Sequence, residues 1–209
     1  MPHEQALRRK MPEECRRPGG LELTRRACAL CDFPAGARIV DVGCGAGASV
    51  RMLRELGYAC VGFDVDMRTK NFPGARARAE ALPVARESLH GILCECVLSL
   101  LQNPEGILQN FWDSCRLDGC LLLTDLYRKL GGPTASVPFL SRWELENVLH
   151  GTGWRVTHFE DCSRALKAYV TRLLWHAADD DEPWPQSDCA GIHWRACSYG
   201  MWIAHKEAQ

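Results

Sequence analysis

The chain lacks the features that mark membrane-spanning, secreted and strongly electrostatic proteins. No apolar run approaches the ~20 residues that a transmembrane helix needs, and the N-terminus has no apolar signal core. The net charge is −1, whereas binding to nucleic acid through its phosphates needs a surplus of Lys and Arg. The sequence therefore predicts a cytoplasmic protein without a membrane span, and it disfavours a nucleic-acid partner.

The histidines and most of the cysteines also lack the sequence spacing of metal ligands. Cys28 and Cys31 form a C-x-x-C pair, but no second pair completes a zinc site. The chain has 12 cysteines, and without a secretory signal they are expected to be reduced thiols rather than a disulfide framework. We therefore predict no metal centre and interpret thiols in apolar stretches as small core residues.

Short apolar strands and helices alternate through the rest of the chain. Their periodicity predicts strands at residues 38–42, 58–63, 74–78, 91–96, 120–124, 154–159 and 199–204, and helices at 21–31, 48–56, 104–115, 141–150 and 164–178. Ser141 followed by Glu144 has the spacing of a helix-capping box. Strands separated by helices indicate a parallel α/β sheet with helices on both faces.

The turn after the first strand is the most informative segment. Residues 41–47 read D-V-G-C-G-A-G, so a buried strand leads through three alternate glycines into a helix. A dinucleotide site prefers G-x-G-x-x-G, and the carboxylate of Asp41 would repel a pyrophosphate. The amino group of S-adenosylmethionine suits that carboxylate. Asp64, at the end of the next strand, can bind the ribose of either cofactor, so an NAD-dependent enzyme stays an alternative.

These motifs resemble class I S-adenosylmethionine-dependent methyltransferases, in particular their ubiquinone/menaquinone and arsenite methyltransferase-like branch. Residues 41–47 are similar to the family's D-x-G-x-G-x-G motif, 61–66 to its second-strand motif, 80–83 to its A-E-x-L-P segment and 116–125 to the element before its fifth strand. The resemblance covers residues 35–162. It departs at Arg78, where many relatives carry the Asp that addresses adenine.

The resemblance implies a Rossmann-like fold with a seven-stranded, mostly parallel sheet, helices on both faces and a final antiparallel strand. It also implies a set of cofactor-binding residues: Asp41, Gly43, Cys44, Gly45, Asp64, Val65, Ala79, Glu80, Ala81 and Cys94. Methyl transfer depends chiefly on alignment. Where the acceptor must lose a proton, Glu95 is the first candidate for the base, followed by His90 and Tyr127.

We divide the chain into an N-terminal leader and possible lid at residues 1–34 and a cofactor-binding methyltransferase domain at 35–209. Residues 17–24 are the candidate lid, and removal of residues 1–24 is expected to weaken cofactor binding. Residues 163–198 contain Trp175, Trp184 and Trp194 and are expected to form a cap over the acceptor, since aromatic residues suit a small-molecule pocket; a simple cover for the sheet is the alternative.

The predicted activity is methyl transfer from S-adenosylmethionine to a small-molecule acceptor that the sequence does not identify. Two alternatives stay open: a protein that binds the cofactor without transferring methyl, and a metalloid or thiol methyltransferase. The second rests on Cys44, Cys94 and Cys96 near the predicted site, because thiolates bind soft ions. Strand alternation places Cys94 and Cys96 on the same face, where they would fill core. The sequence gives no basis for an oligomeric state.

Overall fold

The computed structural model describes residues 17–67, 71–129, 139–178 and 196–208. Within these ranges the helices are α1 (Gly20–Cys31), α2 (Ala48–Glu55), α3 (Pro104–Ser114), α4 (Arg142–Gly151) and α5 (Ser163–Ala178). The strands are β1 (Arg38–Val42), β2 (Ala59–Asp64), β3 (Gly74–Arg76), β4 (Leu89–Glu95), β5 (Cys115–Arg128), β6 (Trp154–Asp161) and β7 (Cys197–Lys206). A 3₁₀ turn at Leu98–Leu100 follows β4.

All seven strands form one sheet in the order β3-β2-β1-β4-β5-β7-β6. The first five strands pair in parallel, and β7 lies antiparallel between β5 and β6. The predicted seven-stranded sheet with a final antiparallel strand is therefore confirmed. The strand order reverses between β1 and β4, and α/β sheets bind ligands in the crevice at such a point.

Two apolar layers enclose the sheet. On one face α1, α2 and α5 cover residues such as Ile39, Leu93 and Ile203. On the other face α3 and α4 cover residues such as Val40, Ile92 and Trp202. Every helix therefore buries one side against a sheet that is apolar on both faces, as parallel strands require.

Most of the predicted element boundaries agree with the structure to within a few residues. The capping box is present, since the Ser141 hydroxyl accepts from the Glu144 amide and the Glu144 carboxylate accepts from the Ser141 amide. The main departure is β5, which begins at Cys115 rather than after a turn at 118–119. Asp118 there has a left-handed φ of 60°, and the pairing with β4 shifts between Leu89 and Gly91, so the turn is a bulge within the strand.

Among the helices that the structure describes, none combines the length and apolarity needed to cross a bilayer. Residues 1–16 of the predicted leader and 179–195 of the predicted cap, including Trp184, Trp194 and Cys189, lie outside the described residues.

Candidate active site

A cavity of about 480 Å³ opens where the carboxyl ends of β1 and β4 diverge. The glycine turn forms its floor, the residues after β2 and β3 form one wall, and the segment after β4 forms the other. Its lining includes nine residues of the predicted site: Asp41, Gly43, Cys44, Gly45, Asp64, Val65, Ala79, Glu80 and Glu95. The cavity therefore brings together residues that lie up to 54 positions apart in the chain.

The glycine turn owes its shape to positive φ angles at Gly43, Gly45 and Gly47, of 73°, 52° and 77°. The amides of Gly43 and Cys44 donate to the carbonyl of Phe63, at 2.7 and 3.2 Å, and so tie the turn to β2. A Cβ at Gly43 would lie 2.2 Å from Val97 Cγ2, whereas a Cβ at Gly45 would meet nothing within 4 Å. Gly45 thus leaves room for a ligand to approach the backbone.

Alanine substitutions at these two glycines are expected to separate stability from ligand binding. Gly43→Ala should lower the free energy of unfolding by about 1–3 kcal/mol, because it adds a clash to an unfavourable φ. Gly45→Ala should lower it by only about 1 kcal/mol while its methyl group enters the cavity and weakens binding of S-adenosylhomocysteine. Urea unfolding and calorimetric titration measure the two effects.

Val97→Ala provides the control for Gly43. In the Gly43→Ala background it removes the nearest clashing atom and should restore part of the lost stability. A Gly45→Ala protein that unfolds as readily as Gly43→Ala would contradict this account of the turn.

Asp41 places a carboxylate in the buried part of the cavity. Its exposure is 4%, and no donor within the described residues hydrogen-bonds to it. Burial raises the pKa of Asp41 well above its ordinary value; the neighbouring Glu95 and Asp64 carboxylates add to the rise, and Arg17 opposes it. An acid of this kind, which lines the cavity and has no donor among the described residues, can receive a cation or a strong hydrogen-bond donor.

Asp64 is held in place by the backbone around it. Its Oδ2 accepts from the Gly45 amide at 2.9 Å and its Oδ1 from the Asp66 amide at 2.8 Å. Each carboxylate oxygen has a second lone pair, so Asp64 can still accept two hydroxyl hydrogen bonds from a ligand. Val65 and Leu100 line the cavity nearby with apolar side chains that are 53% and 72% exposed.

Glu95 lies at the end of β4, on the same face of the sheet as Asp41. Its Oε1 accepts from the Thr24 hydroxyl at 2.9 Å, and its Oε2 accepts from the Ser49 hydroxyl at 3.1 Å. Nη2 of Arg17 lies 2.9 Å from the same Oε2. The predicted base is therefore surrounded by donors from the segment before α1, from α1 itself and from α2.

Arg17 brings the predicted lid to the cavity. Its Nη2 also donates to the hydroxyls of Thr24 and Ser49, whereas its buried Nε has no hydrogen-bond partner among the described residues. Burial lowers the pKa of Arg17, but Glu95 and then Asp41 raise it, and the net shift is upward. The guanidinium is thus a fixed positive charge between two carboxylates.

Two predicted cofactor residues, Cys94 and Ala81, do not line the cavity. Neighbouring strand residues point to opposite faces. Since Glu95 faces α1 and α2, Cys94 faces the other layer, where it is fully buried. The prediction that Cys94 and Cys96 share a face was wrong, because β4 ends at Glu95 and Cys96 turns away with a left-handed φ of 57°. Cys96 lines the cavity and contacts the Tyr199 hydroxyl at 3.1 Å.

His90 and Tyr127, the other candidate bases, lie away from the cavity. His90 is near the opposite end of β4, where its Nδ1 accepts from the Arg38 amide at 3.1 Å. Tyr127 is buried in an aromatic group with Phe159 and Trp202, and its hydroxyl donates to Asp161. Within the described structure, both side chains serve packing and hydrogen bonding in the sheet.

Reasoning from the sequence missed most of the residues that complete the cavity. Ser49 and Thr24 had no motif to mark them, because each acts through a carboxylate distant in sequence. Leu100 and Leu101 follow β4 in an apolar stretch that reads as core. Arg17 lies in the predicted lid, but nothing in its local sequence indicates the contact with Glu95.

Burial favours the neutral thiol at Cys44, which lines the cavity, and at Cys94, which lies in the apolar layer behind it. Burial raises the pKa of Cys44 to about 12, and it raises that of Cys94 well above the usual range. Among the described residues, no group of three His, Cys, Asp or Glu side chains could hold a metal ion. Neutral thiols are weak ligands for soft ions, so the geometry gives little support to metalloid chemistry.

Sheet order, glycine turn and acidic strand ends together define a Rossmann-like α/β protein of the class I methyltransferase type. The family model described as "Methyltransferase domain" matches residues 7–159. The chain therefore belongs to this methyltransferase family. A comparison with proteins of curated function finds no match.

Solved structures share the fold at low sequence identity. Phosphoethanolamine N-methyltransferase 2 from Haemonchus contortus, in complex with S-adenosyl-L-methionine, has a TM-score of 0.73 and 14% identity over 92% of this chain and 54% of its own. The chain thus spans about half the length of that protein. The [4+2]-cyclase SpnF has a TM-score of 0.71 and 17% identity over 90% of this chain and 81% of its own. A third structure is geranyl diphosphate C-methyltransferase from Streptomyces coelicolor A3(2) in complex with Mg²⁺, geranyl diphosphate and S-adenosyl-L-homocysteine. It has a TM-score of 0.69 and 13% identity over 88% of this chain and 79% of its own.

Proposed function

We propose that this protein transfers the methyl group of S-adenosylmethionine to a small-molecule acceptor and that the cavity between β1 and β4 binds the cofactor. The observation that carries the proposal is Asp41, a buried carboxylate without a donor, directly below a glycine turn with open space at Gly45. A ligand would satisfy both features if its cationic amino group met the Asp41 carboxylate and the atoms beside that group filled the space at Gly45. The amino acid end of S-adenosylmethionine provides them.

At the methionine end, the charges of the cavity match those of the cofactor. Asp41 would hold the α-ammonium group. Arg17, whose Nε has no partner among the described residues, would hold the α-carboxylate. A carboxylate paired with a guanidinium forms a strong, charge-assisted hydrogen bond. The segment before α1 would thus act as the predicted lid at residues 17–24.

At the nucleoside end, Asp64 would accept the two ribose hydroxyls. Val65 and Leu100 expose apolar side chains that would pack on the faces of the adenine ring, and burying them would remove apolar surface from water. Ala79 and Glu80 line the same end and would lie along the edge of the base. The predicted contacts of Ala81 and Cys94 would need an approach through the backbone, since neither lines the cavity.

When bound, S-adenosylmethionine supplies a methyl group activated by its sulfonium. The chain contributes by fixing the direction from which the acceptor approaches that methyl group and by excluding water. In this proposal Glu95 positions Arg17 through their ion pair. Glu95 stays the candidate base, and it can accept a proton only after Arg17, Thr24 or Ser49 releases one of its oxygens.

The division into a leader at residues 1–34 and a domain at 35–209, with an acceptor cap at 163–198, forms part of the same proposal. The contact of Arg17 with Glu95 supports the lid, and α5 begins the cap segment next to α1. Deleting residues 1–24 would also remove Leu23 and Thr24, which are buried. Substitution of Arg17 is therefore the cleaner test of the lid.

We also propose the ubiquinone/menaquinone and arsenite methyltransferase-like branch and a cytoplasmic location. The branch is supported by residues 80–83 and 116–125 of the sequence. The location is supported by the ten described cysteines, all of which are free thiols, as expected in a reducing compartment.

Calorimetric titration of cofactor-free protein with S-adenosylmethionine and S-adenosylhomocysteine tests the proposal. The wild-type protein should bind both. Asp64→Ala should weaken binding by about 100-fold, because it removes two charge-assisted hydrogen bonds to the ribose. Asp66→Ala removes the same charge two residues further on, outside the cavity, and should bind like the wild type. Folded wild-type protein that binds neither compound would refute the proposal.

A further inference from the structure

A second cavity, of about 510 Å³, lies between the start of α1 and α5. One wall is formed by residues of the segment 17–25. The other is formed by four residues of α5: Ala165, Ala168, Tyr169 and Arg172. Arg17 belongs to the lining of this cavity and to that of the cofactor cavity. The second cavity therefore adjoins the first at Arg17, the residue proposed above to hold the carboxylate of the cofactor.

The charges around this second cavity are mostly positive. Three guanidinium groups, those of Arg17, Arg25 and Arg172, line it, against the single carboxylate of Glu22. Arg17 is engaged with Glu95. Arg25 and Arg172 are exposed, and neither forms an ion pair within the described part of the chain. Two positive charges thus face the cavity without an internal partner.

The backbone at the start of α1 adds to the positive electrostatic potential of this cavity. The helix begins at Gly20 with Gly19 as its N-cap, and no side chain caps it. The amides of Leu21 and Glu22 belong to the first turn, where amides have no carbonyl partner within the helix. Gly19, Gly20, Leu21 and Glu22 all line the cavity, so the positive end of the helix dipole faces the same space as Arg25 and Arg172.

From these observations we infer that the methyl acceptor is a small anion, carrying a phosphate or carboxylate group that binds between Arg25, Arg172 and the N-terminus of α1. The inference rests on the proposed function, because it takes the second cavity as the acceptor site of the same enzyme. Arg17, as the wall between the cavities, would then contact the acceptor on one side and the cofactor on the other.

The test is calorimetric titration of the full chain with pyrophosphate at constant ionic strength, both free and saturated with S-adenosylhomocysteine. Pyrophosphate should bind saturably in both cases. Arg25→Gln and Arg172→Gln should each weaken it by about tenfold, as for loss of one charge-assisted hydrogen bond, and both should bind S-adenosylhomocysteine like the wild type. Lys167→Gln is the matched control, since Lys167 lies on α5 outside the cavity, and it should change neither affinity.

Four results would overturn the inference: no saturable binding of pyrophosphate, an equal loss in Lys167→Gln, displacement of S-adenosylhomocysteine by pyrophosphate, or tighter binding of a single-stranded oligonucleotide than of pyrophosphate. Failure of the wild-type protein to bind S-adenosylhomocysteine would count against the proposed function instead. The anion site would then be judged by the titration of the free protein.

Discussion

Replacing Asp41 with asparagine is expected to weaken cofactor binding by at least about 30-fold, since truncating one partner of a buried charge pair costs about 2–5 kcal/mol. The same substitution should stabilise the free protein. Asp41 is buried without a donor among the described residues, and the Glu95 and Asp64 carboxylates repel its charge. A neutral amide removes that repulsion, and we expect a gain on the order of 1 kcal/mol, or about 2–4 °C in Tm.

The two effects have opposite dependences on pH. Because the pKa of Asp41 is raised in the folded state, the folded protein binds more protons than the unfolded chain between the ordinary and the raised value. Stability contributed by this group is therefore present at low pH and lost as the pH rises through that window. The stability advantage of Asp41→Asn should grow across the same window.

Cofactor affinity should follow the reverse course. The ammonium group of the ligand requires an ionised Asp41, so the affinity of the wild-type protein should rise with pH until Asp41 is fully ionised. In Asp41→Asn this part of the dependence should vanish. Thermal unfolding and calorimetric titration between about pH 5 and 8 measure both trends. A variant that loses stability and keeps its affinity would show that Asp41 is structural.

Breaking the ion pair between Arg17 and Glu95 is the second change with a large expected effect. Arg17→Met leaves a buried carboxylate without its guanidinium and should destabilise the protein by about 3–5 kcal/mol. Glu95→Gln in the same chain removes that uncompensated charge, so the double variant should recover at least about 2 kcal/mol. Urea unfolding of the wild type, both single variants and the double variant completes the cycle.

Cofactor affinity distinguishes a lid from a purely structural ion pair. If Arg17 binds the carboxylate of the cofactor, the double variant should regain stability but still bind S-adenosylhomocysteine about tenfold or more weakly than the wild type. Arg26→Met removes an arginine of α1 that pairs with Glu160 at the surface and should change little. Full affinity in the stable double variant would remove Arg17 from the cofactor site.

The succession of strands and helices along the chain and the glycine turn could be predicted because they depend on local patterns. Apolar strands, glycine breaks and the Ser141 cap each lie within a few consecutive residues. The bulge in β5 could not be predicted in the same way. Asp118 and Gly119 favour a turn locally, and the pairing of Cys115 and Cys120 with β4 on either side of them keeps them within the strand.

The candidate site shows the same limit. Asp41, Asp64 and the glycines lie next to strand ends, and the family motif marks them. Glu95 accepts hydrogen bonds from Thr24 and Ser49, which lie 71 and 46 residues away from it in sequence. Such contacts arise from the packing of α1 and α2 on one face of the sheet, and no spacing within the chain encodes them.

Burial of the thiols makes the chain a reporter of its own unfolding. Nine of the ten described cysteines are buried, and burial holds the pKa of thiols such as Cys28 and Cys44 near 12. An alkylating reagent reacts with thiolates, so these groups should be modified only when the structure opens. The rate of modification at each cysteine, followed by mass spectrometry, would therefore measure local and global opening without any added label.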